Sequence, residues 1–192
     1  MSAILWILIG GALIGGGYFA YRKSQQSGGA RKELPSSPSR TLMTLQVNDI
    51  VTHFDTDYIV EGKLTFREDG SEWVKVLLAD GGEQVWLSVE DKDGLVAGLS
   101  RAVDELSFTS RPPELITHGG HKYQLEKWGK AEVVQVGETA TKRGKQCTYF
   151  EYKAPGGKSL SVEEWGEGSY EVLLGEEALA HAFEILPGDE VD

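Results

Sequence analysis

The chain of 192 residues has a single cysteine, Cys147. One thiol cannot form an internal disulfide, so no oxidising compartment is implied. In a strand-like run a free cysteine packs as a small apolar group. Histidine is scarce too, with four in all. Neither GxxxxGK[ST] nor a GxGxxG between strand and helix occurs, which removes the usual phosphate-cradling loops. No nucleophile elbow surrounds a serine, since Ser88 and Ser161 stand inside strand-like runs. The chain offers no constellation of nucleophile, base and orienting group, and is expected not to be an enzyme. No cofactor is implied.

Charge is absent from residues 1–21. Residues 3–21, AILWILIGGALIGGGYFAY, would form a helix matching a hydrocarbon thickness of ~30 Å at ~1.5 Å per residue. Trp6 near one end, and Tyr18 and Tyr21 near the other, suit the two membrane interfaces. A cleaved signal peptide would carry basic residues before the apolar run, whereas Arg22 and Lys23 follow it. The expectation is a retained single-pass anchor over residues 1–22 in the inner or plasma membrane, with the C-terminal bulk cytoplasmic. Gly11 and Gly15 form a GxxxG along which two such helices could associate. Residues 23–41, rich in Ser, Gly, Pro and basic charge, read as a flexible tether.

Positive charge is scarce beyond that tether. The whole chain carries −11, and residues 22–40 hold five basic residues against one acidic, so the rest carries −15. Such a surface repels phosphate backbones and excludes nucleic acid as a partner. A basic protein segment, a polyamine or a metal ion would suit it.

From residue 42 onward, short apolar runs alternate with turn signals, which predicts a mainly β domain over residues 42–192. Asp69-Gly70 and Asp80-Gly81-Gly82 are hairpin turns. Residues 95–103 read as a further strand, residues 176–183 as a short helix, and Pro187-Gly188 with the acidic end as a frayed tail. Arg111-Pro112-Pro113 interrupts regular structure between two halves, about 43–110 and 114–187.

The halves echo each other. Thr52-His53 and Tyr58 recur as Thr117-His118 and Tyr123, at a constant offset, and Leu87-Ser88-Val89-Glu90 recurs as Leu160-Ser161-Val162-Glu163. This pattern predicts an internal duplication: two related antiparallel β-units, fused small barrels or sheets, preceded by one transmembrane helix. The stretch Tyr58-Ile59-Val60-Glu61-Gly62-Lys63-Leu64, the pair Glu72-Trp73, the run from Val85 to Glu90, and Gly120-His121-Lys122-Tyr123 resemble the bacterial domain-of-unknown-function family 4178. The resemblance spans about residues 43–187. It implies an uncharacterised bacterial protein and supplies no catalytic residue.

His53, His118 and His121 lie in turns of the two copies and are the candidate metal ligands, against a reading as polar turn residues. Trp86, Glu90 and Trp165 are the candidate binding surface, where a ring beside a carboxylate could cradle a cation. The paired acids Glu90-Asp91 and Glu163-Glu164 follow strands and are expected to face water. The sequence therefore predicts a membrane-tethered cytoplasmic interaction module with a protein partner. The alternative is a sensor of a metal ion or polyamine.

Overall fold

The computed structural model of the chain describes residues 40–139 and 144–188. A 3-10 turn at Leu42–Thr44 leads into β1 (Ile50–His53), β2 (Thr56–Glu68), β3 (Ser71–Ala79), β4 (Gln84–Asp91) and β5 (Leu95–Ala102). An irregular connection then reaches β6 (Leu115–His118), β7 (His121–Gly137), β8 (Gln146–Ala154), β9 (Lys158–Glu164) and β10 (Tyr170–Ala178). A second 3-10 turn, Ala180–Ala182, precedes β11 (Phe183–Leu186). Every neighbouring pair is antiparallel. The β2–β3 hairpin shows why the turn residues matter. Glu68 opposes Ser71, and the two residues between them, Asp69 and Gly70, have φ of 48° and 83°. Positive φ at both positions is the two-residue turn that matches strand twist.

Each five-strand run is a meander, and two remote pairings join them. β5 pairs with β10, and β2 pairs with β7. The order β2-β3-β4-β5-β10-β9-β8-β7 thereby returns to β2 and makes a single closed barrel. β1 and β11 extend the sheet beyond β2, and β6 extends it beyond β7. Closure removes the open edges that either meander alone would present.

Alternation along the strands sorts side chains between the barrel interior and the outside. Leu64, Phe66, Trp73, Leu77 and Trp86 point inward with Ala131, Val133, Cys147, Tyr149 and Leu173. The opposite face carries two further clusters. Val60, Val74, Val76, Leu87 and Val89 are covered by Leu42, Leu45, Val51 and Phe183. Tyr123, Phe150, Tyr152, Leu160 and Val162 are covered by Ile116, Leu106 and Phe108. A bulge between Val60 and Gly62 switches β2 from the outer cluster to the interior. Gly62 also sits where β2 meets β7, and a Cβ there would run into the Glu138 carbonyl oxygen.

The repeated segments take equivalent places. Val51 opposes Tyr58 and Thr52 opposes Asp57, while Ile116 opposes Tyr123 and Thr117 opposes Lys122. The β2 bulge between Val60 and Gly62 has a counterpart in β7 between Leu125 and Lys127. Leu87 opposes Val76 and Leu99, and Leu160 opposes Tyr152 and Leu174. The β2–β3 and β7–β8 registers differ by two residues between copies, a slip that keeps every side chain on its own face.

Several expectations are corrected. The two halves do not form two fused barrels or sheets, because the β2–β7 and β5–β10 pairings merge them into one barrel. Residues 176–183 are not a helix. Glu176 and Glu177 pair with Leu99 and Gly98, and these backbone pairings override the helix propensity of Glu, Ala and Leu. The chain beyond β11 is not frayed at Gly188, whose N–H donates to Asp49 Oδ1 at 2.9 Å. The expected span over residues 3–21, its Gly11/Gly15 face and residues 23–39 of the tether lie outside the described residues. No described helix is long and apolar enough to cross a membrane. The expected transmembrane helix, single-pass inner-membrane location, bilayer contact and helix pairing are therefore not carried forward.

Candidate functional site

The barrel interior is not apolar throughout. β3 contributes Lys75 to it, in the run Trp73-Val74-Lys75-Val76. Alternation gives Lys75 the same face as Trp73 and Leu77, so its ammonium is driven inward, where it is 5% exposed. It donates to Glu163 of β9, itself 1% exposed, and to Ser161 Oγ at 3.3 Å. Glu163 also accepts the Trp165 indole N–H at 3.1 Å. Burial alone would push the Lys75 ammonium below its ordinary value, but the charge and hydrogen bond of Glu163 outweigh it and hold the value above. Lys75 is thus a fixed cation, not a free amine.

Beside this pair lies a cavity of about 170 Å³. The duplication explains why it is there. Leu77 opposes Trp86 in the first copy, and the indole is buried in the barrel interior. Where the LSVE boxes align, the second copy has Lys153 opposite Ser159. The large apolar pair that fills one end is replaced by a small hydroxyl residue and a chain that runs to solvent. Gly98 of β5 and Ser100, which opposes Gly175 of β10, leave further room. The polar wall is made of Lys75, Ser88 and Glu90 from the first copy and Glu151, Ser159 and Ser161 from the second.

Most of the carboxylates around this cavity have their own cation. Glu90 pairs with Lys92 at 2.6 Å, Glu177 with Lys153 at 2.7 Å and Glu176 with Lys158 at 3.0 Å. Glu151 is half-buried and makes no hydrogen bond or ion pair with another described residue. Its cross-strand neighbour Lys127 turns instead toward the faces of Trp73 and Tyr149, 5.0 and 5.2 Å from their centroids, and lies 3.9 Å from Glu68.

A second polar cluster braces the barrel next to the closing seam. Tyr149 donates to Glu68, which also accepts the Lys130 backbone N–H at 2.8 Å. Burial, then the hydrogen bond and charge of Glu68, push the Tyr149 phenol up. Gly129 makes room for this contact, because a Cβ there would strike both Glu68 and the Tyr149 hydroxyl.

The structure separates the residues singled out in the sequence. His53 ends β1 and stacks on Phe183, with centroids 4.4 Å apart, and burial lowers its pKa. His118 and His121 oppose each other across the β6–β7 turn, and the exposed His121 ring lies 6.2 Å from that of Tyr123. No group of three His, Cys, Asp or Glu among the described residues could hold a metal ion. Trp86 faces away from Leu87 but into the barrel, at 3% exposure, while Glu90 lines the cavity and Trp165 packs on the interior cluster. Glu163 is buried, where a strand-ending acid facing water was expected. Lys75 and Glu151 were missed. The signal was present in Lys75, a lone charge within the apolar run from Trp73 to Ala79.

The readings built on those residues are corrected accordingly. The metal sensor has no ligand set among the described residues. The polyamine reading required an exposed ring beside a free acid, whereas the Trp86 indole is buried and Glu90 is paired with Lys92. No described helix is long and apolar enough to cross a membrane, so the membrane-tethered module and the protein partner expected of it are not supported.

Comparison with known proteins names no activity. The uncharacterized proteins Mb2628 of Mycobacterium bovis and Rv2597 of Mycobacterium tuberculosis are each 29% identical to this chain over 148 residues, covering 74% of it and 71% of their own length. No solved structure matches. Residues 46–180 match the family described as a domain of unknown function, DUF4178, and the chain belongs to that family.

Proposed function

We propose that the barrel is a non-catalytic binding protein for a small polar molecule, held in the cavity between the two copies. The observation that carries this reading is the replacement of the Leu77–Trp86 plug by Lys153 and Ser159, beside a space of about 170 Å³ whose wall is apolar apart from groups such as Lys75, Ser88, Glu151 and Ser161. Mouths and interiors of small barrels are common places for one small ligand. A space of this size suits a small metabolite. Binding is favoured over catalysis because Lys75, the buried amine at the cavity, is held as an ammonium by Glu163 and offers no lone pair for attack.

Equilibrium dialysis of the full chain against a bacterial small-molecule extract tests this reading. Ser159→Trp, which restores the plug in the second copy, serves as the blocked control, with its melting temperature checked. The parent is expected to retain a small molecule that the variant releases. Equal retention by both, or by neither, would overturn the reading.

A further inference from the structure

We infer that the ligand is a neutral, polyhydroxylated molecule, a polyol or small sugar, with Glu151 as its principal acceptor. This inference rests on the binding reading above and adds the chemical class. Lys75, Lys92 and Lys153 line the cavity with the carboxylates of Glu90, Glu151, Glu176 and Glu177; Lys92 is paired with Glu90, Lys153 with Glu177, Glu176 with Lys158, and Lys75 with Glu163 behind the lining. A cationic ligand would meet three ammonium groups and would compete with Lys75 for the charge of Glu151. An anionic ligand would meet the carboxylates, with no free ammonium to receive it. A neutral ligand avoids both repulsions.

The remaining polar groups define what that neutral ligand must present. Glu151 acts on Lys75 through its charge but accepts no hydrogen bond from another described residue. It opposes Ser161 across β8 and β9 and lies two pairs along from Lys153 and Ser159, on the same face. A carboxylate set beside hydroxyls asks for donors that can also accept. Adjacent hydroxyl groups do this: one donates to Glu151 while its oxygen receives a serine proton. The duplication sharpens the point. Lys75 of β3 and Glu151 of β8 occupy matching positions opposite Ser88 and Ser161. The first copy's lysine completes its bridge to Glu163, and the second copy offers a carboxylate where that lysine would stand, so this half of the site is left for an external donor.

Saturation-transfer NMR and calorimetry on the full chain test the inference, with glycerol, erythritol and ribose as probes. Ethanolamine and lactate are the charged comparators. The hydroxylated probes are expected to bind. Glu151→Gln, which keeps shape but removes charge, should weaken them about tenfold, in line with loss of a charge-assisted hydrogen bond. Ser159→Trp should abolish binding. Preference for ethanolamine or lactate, or binding indifferent to Glu151→Gln, overturns the polyol class. If none of the hydroxylated probes binds while dialysis still shows a ligand lost in Ser159→Trp, the class falls and the cavity reading stands. If dialysis shows no such ligand, the cavity reading falls as well.

Discussion

Lys75 on β3 and Glu163 on β9 form a buried ion pair between strands that are not neighbours in the barrel. The pair spans the interior and ties one copy of the duplicated unit to the other. Desolvating two charges is costly, and here it is offset by further hydrogen bonds to Ser161 and Trp165. Such a pair fixes which side chains meet across the barrel as much as it adds stability.

Removing one partner should therefore hurt more than removing both. Glu163→Ala leaves a lysine ammonium stranded in the interior and is expected to cost about 3–5 kcal/mol in urea unfolding. Lys75→Met combined with Glu163→Leu replaces both charges with apolar groups of similar size and should cost much less. A double variant no better than Glu163→Ala would show that the pair is not coupled as described.

Tyr149→Phe isolates the brace at Glu68. The ring stays packed edge-on against Trp73, so the loss is one hydrogen bond to a carboxylate. Glu68 keeps the Lys130 N–H and nearby Lys127, and its side chain is 22% exposed, so the expected cost is about 1.5 kcal/mol. Glu68→Gln should fall within the same range. Chemical denaturation of both variants checks this.

The strands were largely legible in the sequence, because Asp69-Gly70 and Asp80-Gly81-Gly82 mark turns whose geometry only such residues satisfy readily. The echo of Thr52-His53 in Thr117-His118 was legible too, and both occupy the same place in a hairpin. The closing of the barrel was not legible. Gly62 pairs with Gly137, 75 positions later, and no local pattern reports a partner that distant. The site suffered from the same blindness. Alternation showed that Trp86 opposes Leu87 in direction, but only closure turns that direction into an interior. Glu163 looked like a strand-ending acid facing water, because its partner Lys75 lies in the other copy. The 176–183 segment misled for a different reason: Glu176–Ala178 are taken up by pairing with β5 and β9, and only the 3-10 turn Ala180–Ala182 remains of the helix.

His53 should make stability depend on pH. Its burial beside Phe183 lowers the folded pKa below the ordinary 6.5. Over the window from 6.5 down to that lowered value, the unfolded chain binds more protons than the folded one. The contribution is therefore present above pH 6.5 and is lost as pH falls through this window. Denaturation midpoints measured between about pH 7.5 and pH 5 should decline, and His53→Leu should flatten that part of the decline. An unchanged slope in the variant would assign the effect to other groups.

Gly62→Ala tests the closing seam itself. Gly62 is the residue of β2 at which the bulge ends and pairing to β7 begins, opposite Gly137. A methyl group there has no flexible neighbour to push aside, because it meets the Glu138 carbonyl carbon and oxygen and the Thr139 side chain. Relief requires moving β7 backbone out of pairing, so the substitution acts on the long-range joint that makes one barrel of two meanders. The expected cost is about 3 kcal/mol, at the upper end of overpacking effects. Gly82→Ala is the matched control, since nothing lies within 4 Å of a Cβ at that turn and its φ is ordinary. It should shift stability by no more than about 0.5 kcal/mol. The two variants together separate closure from the general cost of losing a glycine. Hydrogen exchange adds the spatial readout: Gly62→Ala should accelerate exchange at Val133, Val134 and Gln135 of β7, which face β2, while the β3–β4 amides keep their protection. Uniform acceleration across all strands would mean that the seam opens only with global unfolding.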